Sequence, residues 1–164
     1  GEQAVRTGNH RHVILRTAWV VSPHGSNFSK TMLRLAETRP ELRVVDDQRG
    51  CPTSATDIAQ ALLTITQRMI AEPDAPTGTY HFVNQGEASW CEFARTICEI
   101  AGRHGHPVPQ VEAIGTADYP TPARRPANSR LDVGKLQRDY AISPRPWQAA
   151  VQEIVGTLLA AQRQ

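Results

Sequence analysis

From Leu42 to Ile65 the chain reads LRVVDDQRGCPTSATDIAQALLTI, a short strand, a sharp polar turn and a long helix in immediate succession. Leu42, Val44 and Val45 supply the apolar and β-branched residues of the strand, and Asp46, Asp47, Gln48, Arg49 and Gly50 end it. Thr53 or Ser54 caps the helix that follows. With Ser54 as the cap, Asp57 stands three residues on and returns a hydrogen bond in a capping box with Asp in place of Glu. Ile58, Ala61, Leu62 and Ile65 recur at three- and four-residue spacing and form the apolar face. A polar turn feeding a helix N-terminus presents free N–H groups to an anion or a sugar hydroxyl, although most capped helices bind nothing.

The rest of the chain repeats the alternation. Val13 to Val21, VILRTAWVV, is a near-continuous apolar run of the kind found in a buried strand. Asn27 caps a helix from Phe28 to about Glu37 with Phe28, Met32, Leu35 and Ala36 on one face, and Pro40 closes the segment. Thr79 to Asn84 reads as another strand. Ser89 and Glu92 form a capping box on a helix to about Gly102, buried through Phe93, Ile97 and Ile100. Val111 to Ile114 reads as a strand, Gly115 to Ser129 as a long irregular segment, Leu131 to Tyr140 as a short helix, and Pro146 opens a last helix through Val151, Ile154, Val155, Leu158 and Leu159. Strands alternating with helices make the chain α/β in character.

Composition narrows the function classes. The 164 residues suit one domain, with roughly 68–70% of the unfolded surface buried on folding. A net charge of +2 is too small and dispersed for a nucleic-acid partner, and no run of about 18 apolar residues indicates a membrane span. Cys51, Cys91 and Cys98 cannot all pair with one another, which favours a reduced, cytoplasmic chain. The glycines never fall two apart, so there is no G-x-G-x-x-G and no triphosphate loop. The pairs His10/His12 and His104/His106 read as solvated loop histidines rather than a metal site, and no nucleophile motif marks a hydrolase.

What remains is the stretch around Pro120, Pro122 and Pro126, with Arg124, Arg125 and Arg130 beside it. A guanidinium offers a planar fork of donors to phosphate oxygens, and neighbouring prolines reduce the entropy lost in holding it. Asn128 and Ser129 add neutral groups suited to sugar hydroxyls. The same stretch also reads as a solvated basic loop.

Four segments together carry a resemblance: RTAWVVSPHGSNFSKTMLRL at Arg16 to Leu35, LRVVDDQRGCPTSATDIA at Leu42 to Ala59, GTYHFVNQGEASWCEFA at Gly78 to Ala94, and YPTPARRPANSRLD at Tyr119 to Asp132. In this order they closely resemble the dTDP-4-dehydrorhamnose reductases, members of the extended short-chain dehydrogenases. The resemblance implies an N-terminal Rossmann domain for NAD(P)H and a smaller domain for the nucleotide sugar. The family reduces the 4-keto group of a dTDP-sugar to give dTDP-L-rhamnose, with NADPH as cofactor and NADH as the other candidate. Its glycine-rich loop and catalytic Tyr-x-x-x-Lys are absent here, so residues 1–164 correspond to the C-terminal part, residual Rossmann strands plus a small α/β substrate-binding domain. No catalytic residue is assigned, and the isolated chain is expected not to turn over.

The resemblance also implies roles residue by residue. Trp19 matches the family's tryptophan beside the sugar and nicotinamide, and Thr17 and Ala18 pass near the nicotinamide through their backbone. Asn27 matches the polar residue at the head of the next helix, near the nucleotide sugar. Arg125, Asn128 and Ser129 match the loop that closes on pyrophosphate and sugar. Gln48, Pro52 and Thr53 match the DQ-x-G-x-P-T turn, and Trp19 alternatively reads as a core tryptophan at a strand end. Some members use Mg2+ at a dimer contact, but its ligands cannot be placed on this sequence. The expected partner is a dTDP-sugar, and exposed apolar edges imply a homodimer or marginal stability. The rival readings are a non-catalytic relative such as the regulatory subunit of methionine adenosyltransferase, and a reductase or epimerase acting on UDP- or GDP-sugars.

Overall fold

The computed structural model describes residues 1–121, 123 and 125–161, so Pro122 and Arg124 of the arginine-proline stretch lie outside the described residues. After α1 (Glu2–Gly8), strand β1 (Val13–Arg16) pairs in parallel with β6 (Gly78–His81), with Val13 opposite Gly78 and Arg16 opposite His81. The run expected as one strand from Val13 to Val21 is broken. Residues 17–19 leave the ladder, Trp19 takes a positive φ of 50°, and the chain resumes as β2 (Val20–Val21), parallel to β5 (Thr53–Ser54). Helix α2 (Phe28–Ala36) leads to β3 (Glu41–Val45), whose parallel partner is β8 (Gln110–Ile114). Strand β4 (Arg49–Gly50) runs antiparallel to β7 (Ala88–Ser89), and α3 (Ala55–Ala71) and α4 (Trp90–Gly102) follow β5 and β7 directly. A 3-10 turn (Thr116–Asp118) interrupts the segment expected to be irregular, and α5 (Gly134–Tyr140) and α6 (Trp147–Ala161) complete the described elements.

Strand–helix succession produces this mixed architecture because each parallel pair needs a crossover helix to cover it. Helix α4 is the hub, packing on α2, α6, β3, β7 and β8. Its apolar face is sealed through Cys91, Phe93, Ala94, Ile97, Cys98 and Ala101, and joins Met32 and Leu33 of α2, Leu42 and Val44 of β3, and Val151, Ile154 and Val155 of α6 in one core cluster. Full burial of Phe93 or Ile97 contributes roughly 1.5–3 kcal/mol each. A second cluster gathers Ala61 and Ile65 of α3, Tyr80 and Phe82, and Leu136 and Tyr140 around the β1–β6 pair.

Several local expectations are corrected. The strand expected from Thr79 to Asn84 ends at His81, and α5 begins at Gly134 rather than Leu131. Leu62, placed on the buried face of α3, is 44% exposed. Ser54 does cap α3, accepting from the Asp57 N–H at 3.4 Å, but Asp57 does not complete a box. The Ser54 N–H instead donates to Asn84 at 2.8 Å, because the Asp57 carboxylate is taken up by the Asn84 amide at 2.7 Å and by Arg145. His106 is not a solvated loop histidine: its side chain is 9% exposed and its Nε2 lies 3.5 Å from a Glu37 carboxylate oxygen.

Candidate functional site

The turn that leaves β3 fastens two distant segments. Asp47 accepts from the Thr116 N–H at 2.9 Å and from the Thr116 hydroxyl at 2.6 Å, while the buried Gln48 donates its amide to that same hydroxyl at 3.0 Å. The Thr116 hydroxyl, followed by its N–H, holds the Asp47 carboxyl below the usual aspartate range. On the other side of the turn the Arg49 N–H donates to the Ala127 carbonyl at 2.9 Å and the Ser129 N–H to the Arg49 carbonyl at 2.8 Å, so Arg49 and Asn128 form a parallel bridge. Both feet of the arginine-proline loop therefore stand on Asp47 to Arg49. Arg125 lies exposed between them.

Charges reinforce the second foot. Arg130 donates to Glu87 at 2.7 Å, and Arg49 reaches Glu87 at 3.1 Å and Glu92 at 3.2 Å. Arg130 is the main cause of a lowered Glu87 carboxyl pKa, and Glu87 in turn raises that of Arg130. These groups are solvated, so each pair contributes little on its own. The Asn128 side-chain oxygen, Oδ1, accepts from the Arg130 N–H and from its Nε, both at 3.0 Å, which turns that oxygen into the loop.

The same turn borders Trp19. A Cβ at Gly50 would stand 2.4 Å from Trp19 Cε2, so the bare glycine backbone is what lets the indole lie there. The ring stacks on Trp90 with centroids 3.6 Å apart and planes inclined by 15°, and Phe28 tilts against Trp90 at 4.7 Å. The Thr53 N–H donates to the Trp19 carbonyl at 3.0 Å. The Thr53 side chain is fully buried, and its hydroxyl donates to the Cys51 carbonyl at 2.8 Å. Asn27 is committed to its own helix: its side chain accepts from the Lys30 N–H at 3.3 Å and donates to the Ser22 carbonyl at 2.7 Å. Thr17 is exposed and Ala18 half-buried in the break between β1 and β2.

Trp19, Gln48, Thr53, Asn128 and Ser129 are thus gathered around the β4 turn, with Asn27 joined through its neighbour Phe28. Gln48, Thr53 and Asn27 spend their side-chain bonds inside the protein and hold the groups that face outward. In the sequence Asp47 and Gly50 stand only as residues of the turn, and Glu87 and Trp90 carry no assigned role. Only Trp90 carried a usable signal, a large aromatic at the first position of a capped helix; the others act through partners far away in sequence. The cysteines are buried, and burial raises the Cys51 and Cys91 thiols and pushes Cys98 up to about 11. Among the described residues no group of three or more His, Cys, Asp or Glu is placed to hold a metal ion, and no helix is long and apolar enough to cross a membrane.

Comparison with known proteins gives this arrangement a family. The chain matches the RmlD substrate binding domain over residues 1–160. The dTDP-4-dehydrorhamnose reductase of Sinorhizobium fredii is 49% identical over 164 residues, covering 97% of this chain and 54% of that protein. The reductase of Escherichia coli K12 is 40% identical, covering 96% and 53%. Among solved structures, the Clostridium acetobutylicum reductase superposes with a TM-score of 0.84 at 33% identity, covering 96% of this chain and 52% of that one. The Bacillus anthracis reductase in complex with NADP superposes at 0.81 with 31% identity, covering 95% and 52%. The chain spans about half the length of each of these relatives. It belongs to the RmlD substrate-binding domain family.

Proposed function

We propose that the chain is the nucleotide-sugar-binding half of a dTDP-4-dehydrorhamnose reductase, the enzyme that reduces the 4-keto group of dTDP-4-dehydro-L-rhamnose with NADPH. The observation that carries this reading is that the exposed Arg125 loop and the half-buried Trp19 are built on one turn, Asp47 to Gly50. A guanidinium for phosphate oxygens and an aromatic surface for a deoxysugar then share one foundation. Arg125 meets the pyrophosphate, Asn128 and Ser129 the sugar and phosphate oxygens, and Trp19 the sugar. Gln48, Thr53 and Asn27 act as the supports of these groups. Identity of 49% to a protein named dTDP-4-dehydrorhamnose reductase supports the assignment.

The sequence holds no glycine-rich dinucleotide loop, so what it offers the cofactor is limited to backbone at Thr17 and Ala18 beside the nicotinamide. NADH is the alternative reductant. Three free cysteines suit a reducing compartment, and we place the protein in the cytoplasm, where it takes a dTDP-sugar and forms a homodimer.

Calorimetric titration of the chain with dTDP-L-rhamnose, with UDP-glucose as competitor, tests the proposal. Saturable binding that UDP-glucose displaces poorly, and that Arg125→Ala weakens about tenfold or more, is the expected result. Equal affinity for both nucleotides, or indifference to the loss of Arg125, contradicts it.

A further inference from the structure

We propose that Trp90 is a positioning residue that fixes the indole of Trp19 for recognition of the sugar, an inference that rests on the nucleotide-sugar reading above. Trp19 has a positive φ of 50°, a conformation that costs a bulky residue roughly 1–3 kcal/mol and persists only where its surroundings over-determine it. Three contacts supply that determination. The Thr53 N–H binds its carbonyl at 3.0 Å, the bare Gly50 backbone admits the ring where a Cβ would come within 2.4 Å, and Trp90 stacks on it at 3.6 Å.

Trp90 is itself rigidly held. It is the first residue of α4, whose capping box is complete: the Glu92 N–H donates to the Ser89 hydroxyl at 3.0 Å and the Ser89 N–H to the Glu92 carboxylate at 2.7 Å. Ser89 also donates to Asp46 at 2.5 Å, which ties this helix start to the turn beneath the loop. Phe28 and Phe93 pack against the Trp90 ring at 4.7 and 6.4 Å.

Both indoles pack against the main core cluster, yet neither is closed off by it. Phe93 and Trp147 are sealed inside the core, whereas Trp19 and Trp90 are both only half-buried. An aromatic stack kept at the surface on a strained backbone holds a ring in one orientation, and the ring so held borders the turn that carries the Arg125 loop. Orientation of one indole is worth something only to a ligand that touches it, and in the proposed complex the sugar does so while the nucleotide meets the arginine.

Titration of the chain and of Trp90→Leu, Trp90→Phe and Gly50→Ala with dTDP and with dTDP-L-rhamnose separates the roles. The wild-type chain is expected to bind dTDP-L-rhamnose more tightly than dTDP. Trp90→Leu loses roughly two- to tenfold of that surplus and leaves the dTDP Kd unchanged, Trp90→Phe restores most of it, and Gly50→Ala, which crowds Trp19 from the turn that also carries the loop, lowers the surplus as well. The Trp–Trp exciton couplet in circular dichroism weakens in Gly50→Ala, although both indoles remain. A surplus that survives in Trp90→Leu, or a loss shared equally by the two ligands, overturns the positioning role while leaving the function intact. A wild-type chain that binds neither ligand overturns the functional reading itself, and the positioning role with it.

Discussion

Thr116 shows how single residues govern this site. Its hydroxyl donates to Asp47 and accepts from Gln48, so one side chain closes a circuit between residues 69 and 68 positions apart in sequence. Because Asp47 has its folded pKa lowered by Thr116, the anchoring it provides is fully present above the ordinary aspartate pKa and is lost as the pH falls through the lowered folded value. We expect Asp47→Asn to weaken dTDP-L-rhamnose binding near neutral pH and to shrink its fall at acid pH, and Thr116→Val to do so less because the backbone N–H still binds Asp47, as read by titration calorimetry across pH; an acid profile unchanged in Asp47→Asn would refute the anchor. Ser89→Ala removes a helix cap and the bond to Asp46, and should lower unfolding free energy by about 1–2 kcal/mol in urea. The caps at Asn27, Ser54 and Ser89 were legible in sequence because a cap and its partner lie within three residues. The roles of Gln48 and Thr53 were not, since their partners depend on how β3, β8 and the loop come together.

Among the elements, α3 and α6 are joined by a charge relay that the local pattern concealed. Arg145 donates to both Asp57 oxygens at 2.9 Å and to Glu153 at 2.5 and 2.7 Å, while Asp57 also receives the Asn84 amide. Arg145→Met leaves a half-buried carboxylate without its cation, and should cost about 1–3 kcal/mol in chemical denaturation. Helix α5 ends on Ala141 at φ 54° and ψ 25°, the left-handed position that glycine occupies without strain. Ala141→Gly is therefore expected to raise stability by up to about 1 kcal/mol, measured as a higher urea midpoint, and a lower midpoint would contradict this. The break between β1 and β2 defeated the hydrophobic pattern for a physical reason. VILRTAWVV is apolar enough for one strand, but Trp19 gives up extended geometry to stack on Trp90, a contact that periodicity does not encode.

On the scale of the whole molecule, the α/β class followed from strand–helix alternation, while the pairing of β1 with β6 and β3 with β8 joins distant segments and was not readable from local pattern. The two core clusters differ in how well they are covered. The one around α4 is sealed, whereas α3 beside the β1–β6 pair shows Leu63 at 55% and Ile70 at 80% exposure. Exposed apolar surface of this kind drives association. Sedimentation of the isolated chain should show concentration-dependent self-association that Leu63→Glu with Ile70→Glu reduces, and a monodisperse monomer at high concentration would count against it. The central claim is that this chain recognises the sugar nucleotide but does not perform the reduction alone. NADPH oxidation in the presence of dTDP-4-dehydro-L-rhamnose tests it most directly, comparing the chain alone with the same chain fused behind the N-terminal half of the Sinorhizobium fredii reductase. The account predicts no turnover by the chain and turnover by the fusion. Oxidation by the chain alone, or a folded fusion that binds NADPH yet leaves the keto sugar unreduced, would contradict it.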